Sequence, residues 1–180
     1  MRRRPTGRQP ARRTEKDPVA LVTGFEPFAG HRINPSAEIA RRLDGATVAG
    51  VRVVGRVLPV DFGRIGAALE RALGELPARP AAVVALGLAA GEPVIRLERV
   101  AVNLADFDIP DNRGRKISGA PLDPAGPPAR LARLPLEAIL SALLARGIPA
   151  RLSSSAGTYL CNAAFYLALG CLPPAVPCGF

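Results

Sequence analysis

The sequence has little of several residue types: it contains no tryptophan, one histidine, and aromatic residues amounting to only 4% of its 180 positions. Hydrophobic residues nevertheless make up 48%, so a core built from this chain is aliphatic. No apolar run approaches the roughly 18 residues of a membrane-spanning helix, and no apolar segment follows the basic N-terminus as in a signal peptide. We therefore expect a cytoplasmic protein that does not bind membranes.

Cysteine is also scarce. Cys161, Cys171 and Cys178 cannot all pair, and they form no C-x-x-C spacing with histidines nearby. The sequence therefore predicts neither a disulfide framework nor a zinc site, and we expect no metal and no cofactor.

The net charge of +9 is unevenly distributed along the chain. Residues 1–17 carry seven basic and two acidic groups, whereas the remaining residues carry 17 basic and 13 acidic groups. Because the first segment also lacks apolar periodicity, it is predicted to be a disordered basic tail. Such a tail contacts RNA non-specifically at most, so no specific nucleic-acid partner is expected. Residues 18–180 have the size and composition of one domain.

Short apolar runs alternate with helical patterns along this domain. Asn34 followed by Pro35 is typical of a helix start, with the proline at the first helical position. Alternating strands and helices predict a three-layer α/β/α sandwich around a mainly parallel, twisted sheet. Strands are expected at residues 19–25, 51–60, 81–87, 94–103 and 148–153, and helices at residues 37–43, 62–76, 134–146 and from about 161, with a long loop at 104–128.

A cysteine stands where the last of these helices begins. Cys161 follows small residues and Gly157, which allows a sharp strand-to-helix turn. The positive end of the helix favours an anion, so this placement lowers the pKa of a thiol toward neutrality. The alternative is that Cys161 is a small buried hydrophobic residue, as free cysteines often are.

Two phenylalanines lie three positions apart at the end of the first strand. Phe25 and Phe28 stand where open α/β sheets bind ligands, beyond the carboxyl ends of their strands. The alternative is that one or both of them cap the hydrophobic core.

Three motifs in order carry a family resemblance. They are residues 23–28 (TGFEPF) with 34–36 (NPS), residues 98–103 (ERVAVN) with 109–112 (IPDN), and residues 155–162 (SAGTYLCN). From about residue 19 to 180 the chain resembles the pyroglutamyl peptidases, family C15 of the cysteine peptidases. The resemblance implies a phosphorylase/hydrolase-like fold and removal of N-terminal pyroglutamate from peptides by thiolate attack. Homo-oligomers are compatible with it.

The resemblance also assigns roles to individual residues. Cys161 matches the nucleophile, and Glu98 matches a catalytic acidic residue that orients a histidine. On the residues alone, Glu98 also reads as an exposed strand charge between Arg96 and Arg99. The remaining matches form the walls of the pocket for the pyrrolidone ring: Phe25, Phe28, Ile109, Tyr159 and Leu160.

The chain departs from the family pattern in its histidine. The family supplies this residue in a Gly-Phe-Ile-His-Val-Pro segment, and the present sequence ends at Phe180. We therefore expect weak or no activity from a domain that is incomplete at its C-terminus. Residues 172–180 are expected to form an apolar terminus, and the surface that the missing residues would cover is expected to face water or another chain. The alternative is an inactive pyroglutamyl-binding protein or a non-functional truncated homologue. His31 is interpreted as an ordinary loop residue.

The chain also differs from the family pattern at two positions where a negative charge replaces a positive one. Glu92 and Asp108 stand where the family usually has arginine. Carboxylates that face the sulfur raise the pKa of the thiol, whereas carboxylates on the surface have little effect on it.

Overall fold

A five-stranded sheet forms the centre of the structure, a computed structural model that describes residues 18–180. The predicted basic tail, residues 1–17, lies outside the described residues. Neighbouring strands are parallel except at one edge, where a short strand pairs antiparallel. In spatial order the strands are β2 (Thr47–Val48), β3 (Val51–Leu58), β1 (Val19–Phe25), β4 (Ala82–Ala85) and β9 (Cys178–Gly179).

Two smaller sheets and four helices complete the described fold. β5 (Ile95–Glu98) pairs parallel with β8 (Ala150–Ser153), and β6 (Val100–Val102) pairs antiparallel with β7 (Ala129–Leu131). The helices are α1 (Pro35–Leu43), α2 (Ile65–Gly74), α3 (Leu136–Leu144) and α4 (Leu160–Cys171). None of these helices is long and apolar enough to cross a bilayer.

Alternating side chains of β1 place helices on both faces of the central sheet. Leu21 belongs to the cluster that contains Leu69 of α2 and Phe165 of α4, whereas Val22 packs with Ala40 of α1. Successive strand side chains point to opposite faces, so a strand covered on both sides reads as a continuous apolar run. The prediction of an α/β fold with a mainly parallel sheet flanked by helices is confirmed.

The start of α1 follows the sequence signal. Asn34 is the N-cap residue, its Oδ1 accepts the Ser36 N–H at 3.1 Å, and Pro35 occupies the first helical turn. The helix then crosses β1 so closely that a Cβ at Gly24 would collide with the Ser36 carbonyl. Glycine at this point of β1 therefore allows direct contact between helix and strand backbones.

Three parts of the fold differ from the sequence prediction. The single extended stretch 94–103 breaks at Arg99 into β5 and β6, which join different sheets. The predicted long loop at 104–128 contains an isolated antiparallel bridge between Ala105 and Ala120. The apolar end of the chain, for which no strand was predicted, buries Val176 and Cys178, and its strand β9 pairs with β4.

Candidate active site

The Cys161 thiol lies between the start of α4 and the loop after β4. Cys161 is the second residue of the helix and is half-buried. Gly157, with a φ of 77°, provides the left-handed turn between β8 and α4. A Cβ at Gly87 would lie 2.7 Å from Cys161 Sγ, so the sulfur occupies the space that this glycine leaves open. The strand–turn–helix context predicted for Cys161 is therefore present.

A small pocket opens beside the thiol. Its walls are mainly apolar and come from the ends of β1 and β3, the loop after β4 and the start of α4. The lining residues are Phe25, Phe28, Asn34, Val60, Leu88, Tyr159, Leu160 and Cys161. The structure thus brings four of the predicted ring-binding side chains to the predicted nucleophile. The sequence interpretation gave no pocket role to Asn34, Val60 or Leu88. Asn34 was identified only as a helix start within a family motif, and the signal of Val60 and Leu88 was their position at a strand end or in a loop beyond one.

Aromatic rings support one wall of this pocket. The Tyr159 ring lies 6.0 Å from the Phe28 ring and 4.6 Å from the Phe107 ring, between centroids. Tyr159 Oη donates a hydrogen bond to the Pro110 carbonyl at 3.1 Å. Burial raises the pKa of Tyr159 to about 12, so the phenol remains a donor at neutral pH. Phe107 was not predicted, because nothing in the loop pattern marked it as buried.

Ile109 is placed differently from the sequence prediction. Its side chain is 40% exposed, and it is not among the residues that line the pocket. Its neighbourhood is fixed by Asp111, which accepts hydrogen bonds from the backbone N–H groups of Phe62, Arg113 and Arg115. The loop therefore contributes to the site through its backbone, and the structure does not bring the Ile109 side chain to the ring pocket.

Glu98 is buried, with only 3% of its surface exposed, so the reading as an exposed strand charge does not hold. Its backbone N–H donates to the Phe180 carbonyl at 3.0 Å. Oε1 lies 3.0 Å from Arg96 Nε, as an ion pair without the alignment of a hydrogen bond. Oε2 is buried, and no group within residues 18–180 forms a hydrogen bond with it.

The Cys161 thiol is protonated at neutral pH in this arrangement. Burial raises the pKa of Cys161 to about 12, and the Glu98 carboxylate adds to the rise. A hydrogen bond from the Leu88 N–H and the positive charge of Arg96 act in the opposite direction, but they are weaker. The expectation that the helix terminus brings the pKa toward neutrality is therefore wrong here, because desolvation outweighs it.

Both carboxylates that replace arginine belong to exposed residues. Glu92 accepts from Arg96 at 3.1 Å and from Arg151 at 3.0 Å, and the Arg151 hydrogen bond is the main cause that lowers its pKa. Asp108 is exposed. His31 is also exposed, and its ring centroid lies 6.0 Å from that of Phe28. The backbone N–H of His31 donates to the Phe28 carbonyl at 3.0 Å.

Asn162, next to the thiol, anchors the start of α4. Its Nδ2 donates to the Val102 and Leu104 carbonyls at 2.9 and 3.0 Å, and its Oδ1 accepts the Val102 N–H at 2.9 Å. The side chain is fully buried. Sequence reasoning included Asn162 in a motif without a role. Its contacts show that it ties the helix to the end of β6.

The chain is similar to known peptidases over most of its length. A sequence profile for pyroglutamyl peptidase matches residues 19–173. A pyrrolidone-carboxylate peptidase of Pyrococcus furiosus is 49% identical over 149 residues, which are 83% of this chain and 71% of that protein. One of Deinococcus radiodurans is 48% identical and covers 91% of this chain and 76% of its own length.

Solved structures agree with this similarity. The crystal structure of pyrrolidone carboxyl peptidase from Thermus thermophilus aligns with a TM-score of 0.82 at 49% identity. That alignment covers 89% of this chain and 82% of the other. A mutant pyrrolidone carboxyl peptidase from Pyrococcus furiosus aligns with a TM-score of 0.86 at 45% identity, covering 90% of this chain and 78% of that one.

Proposed function

The chain belongs to the pyroglutamyl peptidase family, and from this premise we propose that its site acts on peptides with an N-terminal pyroglutamyl group. One observation carries the proposal: Cys161 and Phe28 line the same small apolar pocket. A nucleophile and a ring-binding wall in one cavity are what cleavage next to a small cyclic residue requires.

The pocket suits a lactam ring better than an ordinary N-terminal residue. Pyroglutamate is flat and neutral and has no free amine, so apolar and aromatic walls bind it without leaving a charge unpaired. Phe25 and Phe28 stand on one side of the pocket, and Tyr159 and Leu160 approach from α4. A charged α-ammonium group in this pocket would lose its hydration, and no carboxylate is among the described residues that line the pocket walls.

The proposed reaction is acyl transfer through sulfur. The Cys161 thiol loses its proton, and the thiolate attacks the pyroglutamyl carbonyl to form a carbon–sulfur bond. The carbon–nitrogen bond to the next residue breaks, and the amine leaves with the proton that the thiol lost. Water then attacks the thioester carbonyl, the carbon–sulfur bond breaks, and free pyroglutamate leaves as the thiol regains a proton from that water. Unpaired backbone N–H groups at the start of α4 supply donors for the oxyanion, close to the reacting carbon.

Turnover by the 180-residue chain is proposed to be slow. Its one histidine, His31, is exposed and its ring lies beside that of Phe28. Burial raises the pKa of Cys161 to about 12, so the thiol is protonated at neutral pH. A general acid–base partner typically contributes about 10²–10⁴ in rate. The buried, unpartnered Oε2 of Glu98 supports the role that the family resemblance implies, which is to orient an imidazole.

A second candidate function is binding without turnover. The ring pocket is formed by residues 25–161, and its walls do not depend on the protonation state of the thiol. A pyroglutamyl-binding protein is therefore the alternative of a different class. Ligand binding in the absence of turnover distinguishes it from a peptidase.

Both candidates are tested on the 180-residue chain with two measurements. The first is release of the amine from a chromogenic pyroglutamyl amide, with Cys161→Ser as the blank. We expect a rate at least a hundredfold below that of the Thermus thermophilus relative, and a rate within tenfold of it would overturn the slow-turnover proposal. Any measurable turnover that Cys161→Ser abolishes favours a peptidase over a pure binding protein.

The second measurement is the shift in melting temperature on adding pyroglutamyl amide. Ligand at a hundred times its Kd stabilises the folded state by about 2.7 kcal/mol. Phe28→Ala is expected to remove the shift, whereas Phe62→Ala, a matched loss of a ring outside the pocket lining, is expected to retain it. Equal shifts in both variants, or no shift in the parent chain, would place the ligand elsewhere.

A further inference from the structure

Arg96 and Glu98 lie on the same face of β5, two residues apart. Strand side chains alternate, so positions i and i+2 project together. Arg96 Nε approaches Glu98 Oε1 to 3.0 Å, while the arginine side chain is 25% exposed and that of the glutamate only 4%. The buried Glu98 carboxylate is therefore neutralised by Arg96, a cation on the same strand that lies closer to solvent.

The guanidinium makes a contact through each of its three nitrogens. Besides Glu98 at Nε, Nη1 donates to Glu92 Oε1 at 3.1 Å, and Nη2 donates to Ser153 Oγ at 3.1 Å and to the Ser155 carbonyl. Ser155 lies in the turn that leads from β8 to Cys161. One planar group therefore connects the buried carboxylate to the turn that positions the thiol, and its planarity holds these contacts in one geometry.

A second arginine would oppose this arrangement without Glu92. In the parallel pairing of β5 with β8, Arg96 lies opposite Arg151. Glu92 bridges the two, because Oε1 accepts from Arg96 and Oε2 accepts from Arg151 at 3.0 Å. The result is a row of alternating charges from solvent to the buried site: Arg151, Glu92, Arg96 and Glu98. Like charges directly opposite each other destabilise a strand pair, and this carboxylate relieves that repulsion.

Arg96 ties down only one oxygen of Glu98. Oε1 faces the guanidinium, and Oε2 stays buried without a hydrogen bond from any group in the described part of the chain. A buried carboxylate oxygen without a partner is costly, and it persists only where the surroundings hold it. The charges of Arg96 and Glu98 also act on the Cys161 thiol with opposite signs.

We propose that Arg96 is a positioning residue for the Glu98–Cys161 pair. It holds Glu98 through one oxygen, leaves the other oxygen without a hydrogen bond, and offsets the carboxylate charge at the sulfur. The role given to Arg96 rests on the proposed function of Cys161 and Glu98. Its test uses a small neutral electrophile without a pyroglutamyl group, so its failure is distinguishable from failure of the proposed function.

The experiment measures the rate at which iodoacetamide alkylates Cys161 between pH 8 and 10 in the 180-residue chain. Peptide mass spectrometry follows Cys161 and the exposed Cys171 separately, and Cys171 is the internal reference. Removing one charge near a thiol changes its pKa by about one unit, which is tenfold in thiolate at these pH values. Arg96→Gln is therefore expected to slow Cys161 labelling about tenfold, and Glu98→Gln to accelerate it about tenfold.

The opposite changes in labelling rate expected of the two single variants distinguish an effect of charge from a general disturbance of the structure, which would change both rates in the same direction. In the double variant Arg96→Gln/Glu98→Gln the two effects cancel, so we expect Cys161 to be labelled within about threefold of the parent rate. The same is expected of two controls. Arg96→Lys keeps the charge, and Arg151→Gln removes a neighbouring cation that does not contact Glu98. Unchanged labelling in Arg96→Gln, or equal direction in both single variants, overturns the proposal. If Arg96→Gln does not fold, Glu98→Gln decides, and failure to accelerate labelling there overturns it.

Discussion

Asn162 offers the sharpest test of what holds helix α4 in place. Its amide forms three hydrogen bonds with backbone groups of Val102 and Leu104, and the side chain is fully buried. Alanine at this position leaves one N–H and two carbonyl groups without partners in the interior. Each unsatisfied buried polar group costs about 1–3 kcal/mol, so we expect Asn162→Ala to lower the free energy of unfolding by about 3–6 kcal/mol.

Urea denaturation measures this loss directly. Domains of this size have slopes of about 1–3 kcal/mol/M, so a loss near 4 kcal/mol lowers the midpoint by about 2 M at unchanged slope. Against a total stability of about 5–15 kcal/mol, the variant is close to unfolding. Glycerol or another excluded osmolyte keeps it measurable, because such solutes favour the compact state equally in variant and parent.

Asn112→Ala is the matched control. Asn112 Nδ2 also donates twice, to Glu26 Oε1 and to the Pro27 carbonyl at 2.9 Å each, but these bonds are exposed. Water replaces the lost donor there, so we expect a loss below about 1 kcal/mol. A loss below 1 kcal/mol in Asn162→Ala, or equal losses in the two variants, would refute the reasoning that burial makes these hydrogen bonds decisive.

Three further predictions concern the thiol and the end of its helix. Gly87→Ala is expected to stop alkylation of Cys161, because the added Cβ lies 2.7 Å from Sγ, whereas Gly66→Ala, whose added Cβ has its nearest atom at 3.9 Å, is expected to leave the labelling rate unchanged. Equal labelling of Cys161 in the two variants would show that the sulfur does not occupy the space beside Gly87. The rate of Cys161 alkylation in the parent chain is expected to rise tenfold per pH unit from pH 7 to 10, because a thiol with a pKa of about 12 is protonated throughout this range. A plateau of the rate near pH 8 would contradict this prediction. Arg133→Gln is expected to lower the free energy of unfolding by about 1–2 kcal/mol in thermal denaturation, because Arg133 donates to three carbonyls at the end of α4, including that of Leu169. An unchanged free energy of unfolding would mean that water replaces the guanidinium fully.

Much of the fold could be predicted because its signals are local. The run from Val19 to Phe25 is apolar throughout, as expected of a parallel strand covered on both faces, and β1 has these bounds. Asn34 and Pro35 marked the start of α1 for the same reason, since a cap satisfies N–H groups within its own turn. The motif around Cys161 likewise specified a strand, a turn and a helix before any packing was known.

Pairing between distant segments could not be predicted in this way. β9 has only two residues and takes its form from β4, nearly a hundred positions earlier, and the break at Arg99 arises because β5 and β6 pair with different partners. Ile109 carries an apolar side chain in a matching motif, yet the path of its loop leaves that side chain partly in solvent. Such outcomes depend on which surfaces meet, and local composition does not encode that.

The sequence by itself determined where the candidate residues stand: a cysteine at a helix start, a glutamate on a strand, and two phenylalanines at and just beyond the end of another strand. Only the tertiary structure decided the state of the thiol. A helix terminus acts along the chain and favours the thiolate, whereas desolvation comes from the neighbours that enclose the sulfur, among them Gly87 from the loop after β4. Because burial removes water from a charged group more effectively than one turn of N–H dipoles replaces it, Cys161 stays protonated at neutral pH.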